Sequence, residues 1–138
     1  LYFYMQMIFE NVTLVQSAAG EIFDQMLRIG PGDVLLAIGF PRYSKMTMSA
    51  VHFARDRGAE VIAITDSKMS PLYTLSVASL LVHCEMISFV DSMAAPVSLL
   101  NALIVAVGKQ KSAETAETFA EMERVWSRYE IFGYEDDE

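Results

Sequence analysis

The sequence predicts an open parallel α/β sheet flanked by helices, with flavodoxin-like or Rossmann-like layering. Three observations carry this expectation. The runs Val34–Ile38 and 60–65 are apolar along their whole length, the mark of strands covered on both faces. Each run ends in turn residues and passes into helically spaced apolar positions. With 138 residues and 53% hydrophobic content, the chain is long enough to bury one core. Strand–helix–strand order implies right-handed crossovers.

Residues 1–10 are apolar almost throughout and predict a buried helix that Asn11 ends. The β-branched stretch 12–15 predicts a short strand. Ser17 is a candidate helix cap, followed by an apolar stripe at Ile22, Phe23, Met26 and Leu27. Arg28 and then Gly30-Pro31-Gly32 are stop signals. Val34–Ile38 is read as the central strand, broken at Gly39 and Pro41.

From Ser44 to Arg57 the spacing is helical. Met46, Ala50, Phe53 and Ala54 form one face, and Lys45, Ser49, His52 and Asp56 the other. Gly58 ends that helix, and 60–65 is the next strand, closed by Asp66-Ser67. Pro71 is placed at the first position of a short helix through Leu75. Leu80-Leu81-Val82 is a further strand. Asp91-Ser92 caps a long helix, with Pro96 in its tolerant first turn. Leu99, Leu100, Leu103, Ile104 and Val107 make that helix apolar nearly all round, as expected between the sheet and a covering partner, often a second subunit. Ser112 opens an amphipathic last helix through Phe119, Met122, Trp126 and Tyr129, and the acidic residues 135–138 form a solvated tail.

The charge balance narrows the function. Eighteen acidic against ten basic side chains give a net charge of -8, unsuited to gripping nucleic acid directly. The lone Cys84 has no internal disulfide partner, which fits a reducing, cytoplasmic setting. The longest apolar stretch, 96–107, is too short to span a bilayer, so no membrane partner is expected. The start of the sequence carries no basic signal region and reads as an internal segment of a longer chain.

In such a sheet, ligands sit at the carboxyl ends of the strands, here 39–44, 65–70 and 82–92. Ser44 caps a helix there and is also placed to share its hydroxyl and neighbouring amides with a phosphate. Arg42 suits bidentate binding of phosphate or carboxylate, or else a salt bridge. Lys45 is a ligand candidate or a solvated charge. Ser67 offers a hydroxyl for a sugar, although turn chemistry alone accounts for Thr65, Asp66 and Ser67. Ser92 is a helix cap and a further ligand candidate. His83-Cys84-Glu85 alternate in direction and cannot close a metal chelate alone, so no metal site is assigned. His52 lies on the polar helix face, and no Ser-His-Asp arrangement or dinucleotide fingerprint is present, so no cofactor is assigned.

Several segments resemble one family. They are Gly32-Asp33-Val34, the loop Ile38-Gly39-Phe40-Pro41-Arg42-Tyr43-Ser44, the run from Gly58 to Asp66, and Ser70-Pro71-Leu72. Their order and spacing resemble the SIS (sugar isomerase) domain, in the form found at the C-terminus of RpiR/MurR-type bacterial transcription regulators. The resemblance covers residues 1–110. It implies a five-stranded parallel sheet, dimerisation through helices and binding of phosphorylated sugars. It further implies a DNA-binding helix-turn-helix domain that is absent from this sequence, and a first strand with its Gly/Ser phosphate loop that is absent as well. The expected organisation is a partial SIS domain over 1–111, with 112–138 as a C-terminal amphipathic helix and acidic tail of the same domain.

The family's second phosphate loop reads Ser-x-Ser-Gly-x-Thr. Laid on this loop, its two serines fall on Gly39 and Pro41, its glycine on Arg42 and its threonine on Ser44, so that only the last hydroxyl survives. Related isomerases often carry a Glu where this chain has Met46, and an acidic residue where it has Ser79. The resemblance therefore implies a non-enzymatic domain that senses an effector, a small phosphorylated metabolite, and forms a homodimer or higher homo-oligomer. The alternatives are a sugar-phosphate isomerase, which needs a general base, and an oligomerisation module without ligand. No catalytic residue is assigned.

Overall fold

Three strands pair in parallel to form the sheet that organises residues Val15–Leu99. The computed structural model describes residues 1–16, 22–84, 86, 87 and 90–131. The proposed cap Ser17, Glu85 of the His83-Cys84-Glu85 run, and the acidic tail lie outside them. The sheet order is β1 (Val34–Ile38), β2 (Glu60–Thr65), β3 (Ala78–Leu81). In register, Val34 faces Glu60 and Ile38 faces Ile64, while Ile62 faces Ala78 and Thr65 faces Leu81.

The central strand is therefore β2, not β1 as the sequence suggests. Val61, Ala63 and Thr65 point to one face of β2 and Ile64 to the other, and all four are buried. In β1 only Ala37 is buried, whereas Val34 is 54% and Ile38 38% exposed. Among the described residues β1 pairs on one side only, which leaves its ends open despite their apolar character. The strand β3 begins earlier than expected, because the Val77 amide already bonds the Val61 carbonyl.

Helix α2 (Ile22–Gln25) is a single turn that buries Ile22 and, just beyond it, Met26, while Phe23 and Leu27 stay exposed. Arg28 and Gly30-Pro31-Gly32 follow, with Gly32 at φ +92°. Helix α3 (Lys45–Asp56) packs on β1 and β2. It buries Ala50, Val51 and Ala54, a face rotated from the expected one, so that Met46 is 38% exposed. It ends at Gly58, where φ +85° would strain any side chain. Helix α4 (Pro71–Leu75) packs on β2 and α3. One core cluster joins Ile22, Met26, Ala50, Ala54 and Ala59, and a second joins Ala37, Val51, Val61, Ala63 and Leu72. A separate antiparallel pair, β4 (Met86–Ile87) and β5 (Val90–Asp91), follows β3. The described residues thus contain three parallel strands, not five.

Residues 12–15 form no strand. Their β-branched side chains favour extension, but they join neither described sheet. Gln16 is instead held by reciprocal bonds with the Gln25 amide, each 3.0 Å.

The second unit comprises Leu1–Leu14 and the chain from Leu100 onward. Helix α1 (Tyr2–Ile8) packs against α6 (Ser112–Arg128). It ends two residues before the expected stop, because Phe9 is already extended. It buries only Met7 and Ile8, leaving Phe3 and Tyr4 exposed. The Lys111 ammonium sits 5.1 Å from the centre of the Phe9 ring. In α6 Phe119 and Tyr129 are exposed, and Met122 and Trp126 half-buried.

Helix α5 (Ala94–Gln110) also departs from expectation. Of its apolar residues Pro96 is buried, while Val97 is 49% and Val105 56% exposed. Hydrophobicity all round the helix is thus not matched by burial within one chain.

The contrast between central and edge strands gives a prediction. Ile64→Ala should cost about 3 kcal/mol through lost burial and a residual cavity. Val34→Ala should cost well under ~1 kcal/mol, and urea unfolding of the two variants measures both.

Candidate functional site

The polar chemistry of the sheet gathers where the loop after β1 meets the loop after β2. Gly39 donates its amide to the Ile64 carbonyl at 3.0 Å, which extends the β1–β2 pairing into the loop. A side chain at position 39 would meet Leu72: a Cβ there would lie 2.6 Å from Leu72 Cδ1. Leu72 is fully buried. The fully buried leucine thus takes the space into which a serine side chain would project.

Arg42 is exposed and adopts φ +69°, the left-handed region. This is the position of the glycine in Ser-x-Ser-Gly-x-Thr. A left-handed residue with a side chain carries a backbone cost of about 1–2 kcal/mol. Such strain persists where neighbouring contacts over-determine the loop, and here both ends are held. Gly39 is bonded to β2, and Ser44 caps α3 by accepting the Thr47 amide at 3.5 Å.

Between them Tyr43 turns its phenol to β2, donating a short hydrogen bond to Asp66 Oδ1. A group of hydroxyls supports this pair. Thr65 Oγ lies within hydrogen-bonding distance of both Asp66 Oδ1, at 3.2 Å, and Ser70 Oγ, at 2.7 Å. Ser70 in turn accepts the Leu72 amide at 3.2 Å and so caps α4. Thr65 and Ser70 are buried, and among the described residues no buried side-chain polar atom lacks a partner.

Burial pulls the Asp66 carboxyl upward. The hydrogen bonds it accepts, first from Tyr43 and then from its own backbone, Thr65 and Ser67, outweigh this and set it below the ordinary 3.8. Burial first, and then the bond to Asp66, raise the Tyr43 phenol above its ordinary 10.0. Asp66 is therefore a carboxylate, and Tyr43 a neutral donor, across the neutral range.

Above this layer lies a pocket of about 320 Å³, lined by Ile38, Gly39, Phe40, Tyr43, Ser44, Thr47, Met48, Leu72 and Met93. It opens at the carboxyl end of β1 and the start of α3. Ser44 and Thr47 are hydroxyl residues of its lining, and most of the others are apolar.

The proposed site residues distribute unevenly around it. Ser44 lines the pocket. Arg42 and Lys45 flank it in sequence, are exposed and do not line it. Ser67 is half-buried next to Asp66 and bonds its carboxylate. Ser92 is not the cap of α5, because the Val97 amide bonds the Met93 carbonyl and the helix starts at Ala94. The Ser92 carbonyl instead accepts the Cys84 thiol at 3.4 Å, while its neighbour Met93 enters the pocket. Ser79 shares a 2.6 Å hydroxyl bond with Ser76, and His52 is exposed on α3. Among the described residues, no group of His, Cys, Asp and Glu is placed to hold a metal.

Sequence reasoning did not single out Tyr43, Thr47, Met48 or Met93 as lining residues, and read Asp66 without its partner. The signal for Tyr43 and Asp66 was their position, each within the first residues beyond adjacent parallel strands.

A family model for the SIS domain matches residues 1–106. The chain belongs to the SIS domain family. The sugar isomerase domain of an RpiR transcription factor from Sphaerobacter thermophilus is similar to this SIS chain with TM-score 0.81 and 18% identity, over 88% of this chain and 68% of that one. Vibrio vulnificus NanR, in complex with ManNAc-6P, is similar with TM-score 0.72 and 17% identity, over 92% of this chain and 49% of NanR. The chain therefore spans about half the length of NanR. At these identities the likeness is one of fold. No curated protein matches the sequence. Among the described residues, no helix is long and apolar enough to cross a membrane.

Two predictions follow from the loop. Arg42→Gly should be more stable than Arg42→Ala by about 1 kcal/mol, since both remove the side chain and only glycine relieves the positive φ. Tyr43→Phe should cost about 1.5–3 kcal/mol near neutrality, as for a hydrogen bond to a charged group. A depressed carboxyl contributes stability in full above its ordinary 3.8 and loses it as pH falls through the lower folded value. The gap between wild type and Tyr43→Phe should therefore close in acid, as urea unfolding at about pH 7 and about pH 3 would show.

Proposed function

We propose that this SIS domain is the effector-sensing and dimerisation domain of a bacterial transcription regulator, and that it binds a phosphorylated sugar or similar small anionic metabolite. The observation that carries the reading is the pocket at the carboxyl end of β1, walled by Ser44 and Thr47 at the start of a twelve-residue helix. First-turn amides and the helix dipole favour an anion there, and a volume of about 320 Å³ suits a monosaccharide derivative. The fold likeness to an RpiR transcription factor and to NanR bound to ManNAc-6P supports the same class of ligand. Ser44, Arg42, Lys45, Ser67 and Ser92 are the proposed contacts, with Ser44 nearest the pocket and Arg42 beside it.

Met46 supports a non-enzymatic role, because a thioether cannot serve as the general base that isomerisation requires. The exposed apolar residues of α5, Val97 and Val105, support pairing of this helix with a second copy. DNA would then be reached only through a helix-turn-helix domain elsewhere in the protein. Residues 112–138 are taken as part of the same domain as 1–111. The contact of Leu72 with Gly39 favours a second reading, an oligomerisation module without ligand, because it fills the place of one phosphate-binding hydroxyl.

Thermal unfolding against phosphorylated sugars and small organic acids separates the readings. A ligand at a hundred times its Kd adds about 2.7 kcal/mol of stability, a rise of several degrees in Tm. A selective rise that shrinks in Ser44→Ala and in Arg42→Ala is expected. Turnover of an aldose or ketose phosphate would instead establish an isomerase, and an unchanged Tm across the panel favours the module without ligand.

A further inference from the structure

We propose that Asp66 is a positioning residue for the pocket: by accepting the Tyr43 phenol it fixes the aromatic wall of the site and locks the 39–44 loop onto the loop after β2. Asp66 does not line the pocket, whereas Tyr43 does. Tyr43 lines the cavity, and its hydroxyl is bonded to Asp66. Asp66 therefore acts on the pocket through another residue.

Three features make this more than a turn contact. First, the carboxylate is held from several directions, with Thr65 3.2 Å away, Thr65 bonded to Ser70, and both hydroxyl residues buried. An acceptor fixed in this way gives Tyr43 a defined target. Second, Tyr43 directly follows Arg42, the residue at φ +69°. A strained residue beside a long lever needs an anchor on its far side, and the phenol supplies one 23 positions away in sequence. Third, Ser70 belongs to the same group and caps α4, whose Leu72 packs against Gly39. The loop is thus gripped at Gly39 by packing and pairing, and at Tyr43 by a charge-assisted hydrogen bond. The lowered Asp66 carboxyl and raised Tyr43 phenol agree with this assignment.

The inference bears on the binding reading above, because it names what shapes that site, but its test needs no ligand. Amide hydrogen exchange is measured on the complete, unliganded chain for wild type, Tyr43→Phe, Asp66→Ala and Asp66→Asn. The readout is the exchange of the Gly39 and Thr47 amides relative to Ala63 in the sheet. A general loss of stability moves all three together and leaves the ratio unchanged. Loss of the anchor opens the loop alone.

At least tenfold faster relative exchange at Gly39 and Thr47 is expected in both Tyr43→Phe and Asp66→Ala. Asp66→Asn, whose amide oxygen still accepts a phenol, should return to within about threefold of wild type. An unchanged ratio in Tyr43→Phe and Asp66→Ala overturns the proposal, as does Asp66→Asn exchanging as fast as Asp66→Ala. Tyr43→Phe keeps the ring and removes only the hydroxyl, so the test survives if Asp66→Ala does not fold. A protein that shows the loop effect yet binds nothing in the thermal panel would retain the anchor and lose the sensor reading. The converse pair of results would do the opposite.

Discussion

Parallel register between β1 and β2 is the constraint on which the site depends. Because Ile38 lies opposite Ile64, the two strands end within one residue of each other, and the chain leaves both at the same edge. Side chains far apart in sequence are then forced together over the next few residues. Gly39 can still reach a β2 carbonyl, and Tyr43 can reach Asp66. A shift of one residue would turn every side chain of β1 to the opposite face and separate these pairs. The hydrophobic pattern of β2, with Val61, Ala63 and Ile64 all buried, holds the register against such a slip.

The loop after β1 holds Arg42 in the left-handed region, and the buried Leu72 fills the space beside Gly39. Hydrogen bonds at its two ends and a buried leucine beneath it maintain the shape. Stability here is spread over the loop, the start of α3 and the start of α4, and each helix is capped by a serine hydroxyl, Ser44 or Ser70.

Much of the fold was legible because local punctuation is strong. Val34–Ile38 and Glu60–Thr65 coincide with their apolar runs, and Ser44, Gly58, Ser70-Pro71 and Ser112 mark helix ends at or next to the observed ones. The errors concern what a single strand or helix cannot specify. Residues 12–15 had the composition of a strand, yet composition alone does not supply a pairing partner. Residues 2–8 and 94–110 had the composition of buried helices, yet burial requires a covering surface that local sequence does not encode. Centrality was misassigned to β1 because continuous hydrophobicity does not report the number of neighbours. Within the site Ser44 was placed correctly as the cap of α3, from its own neighbourhood. Asp66 was read without its partner, because that partner is set by register and not by spacing along the chain.

The methionines of the pocket carry one more consequence. Met48 and Met93 are unbranched and polarisable and can repack around differently shaped neighbours. Tyr43 and Ser44, which line the same pocket, are each held by a hydrogen bond. The pocket thus combines side chains that can repack with side chains fixed by hydrogen bonds.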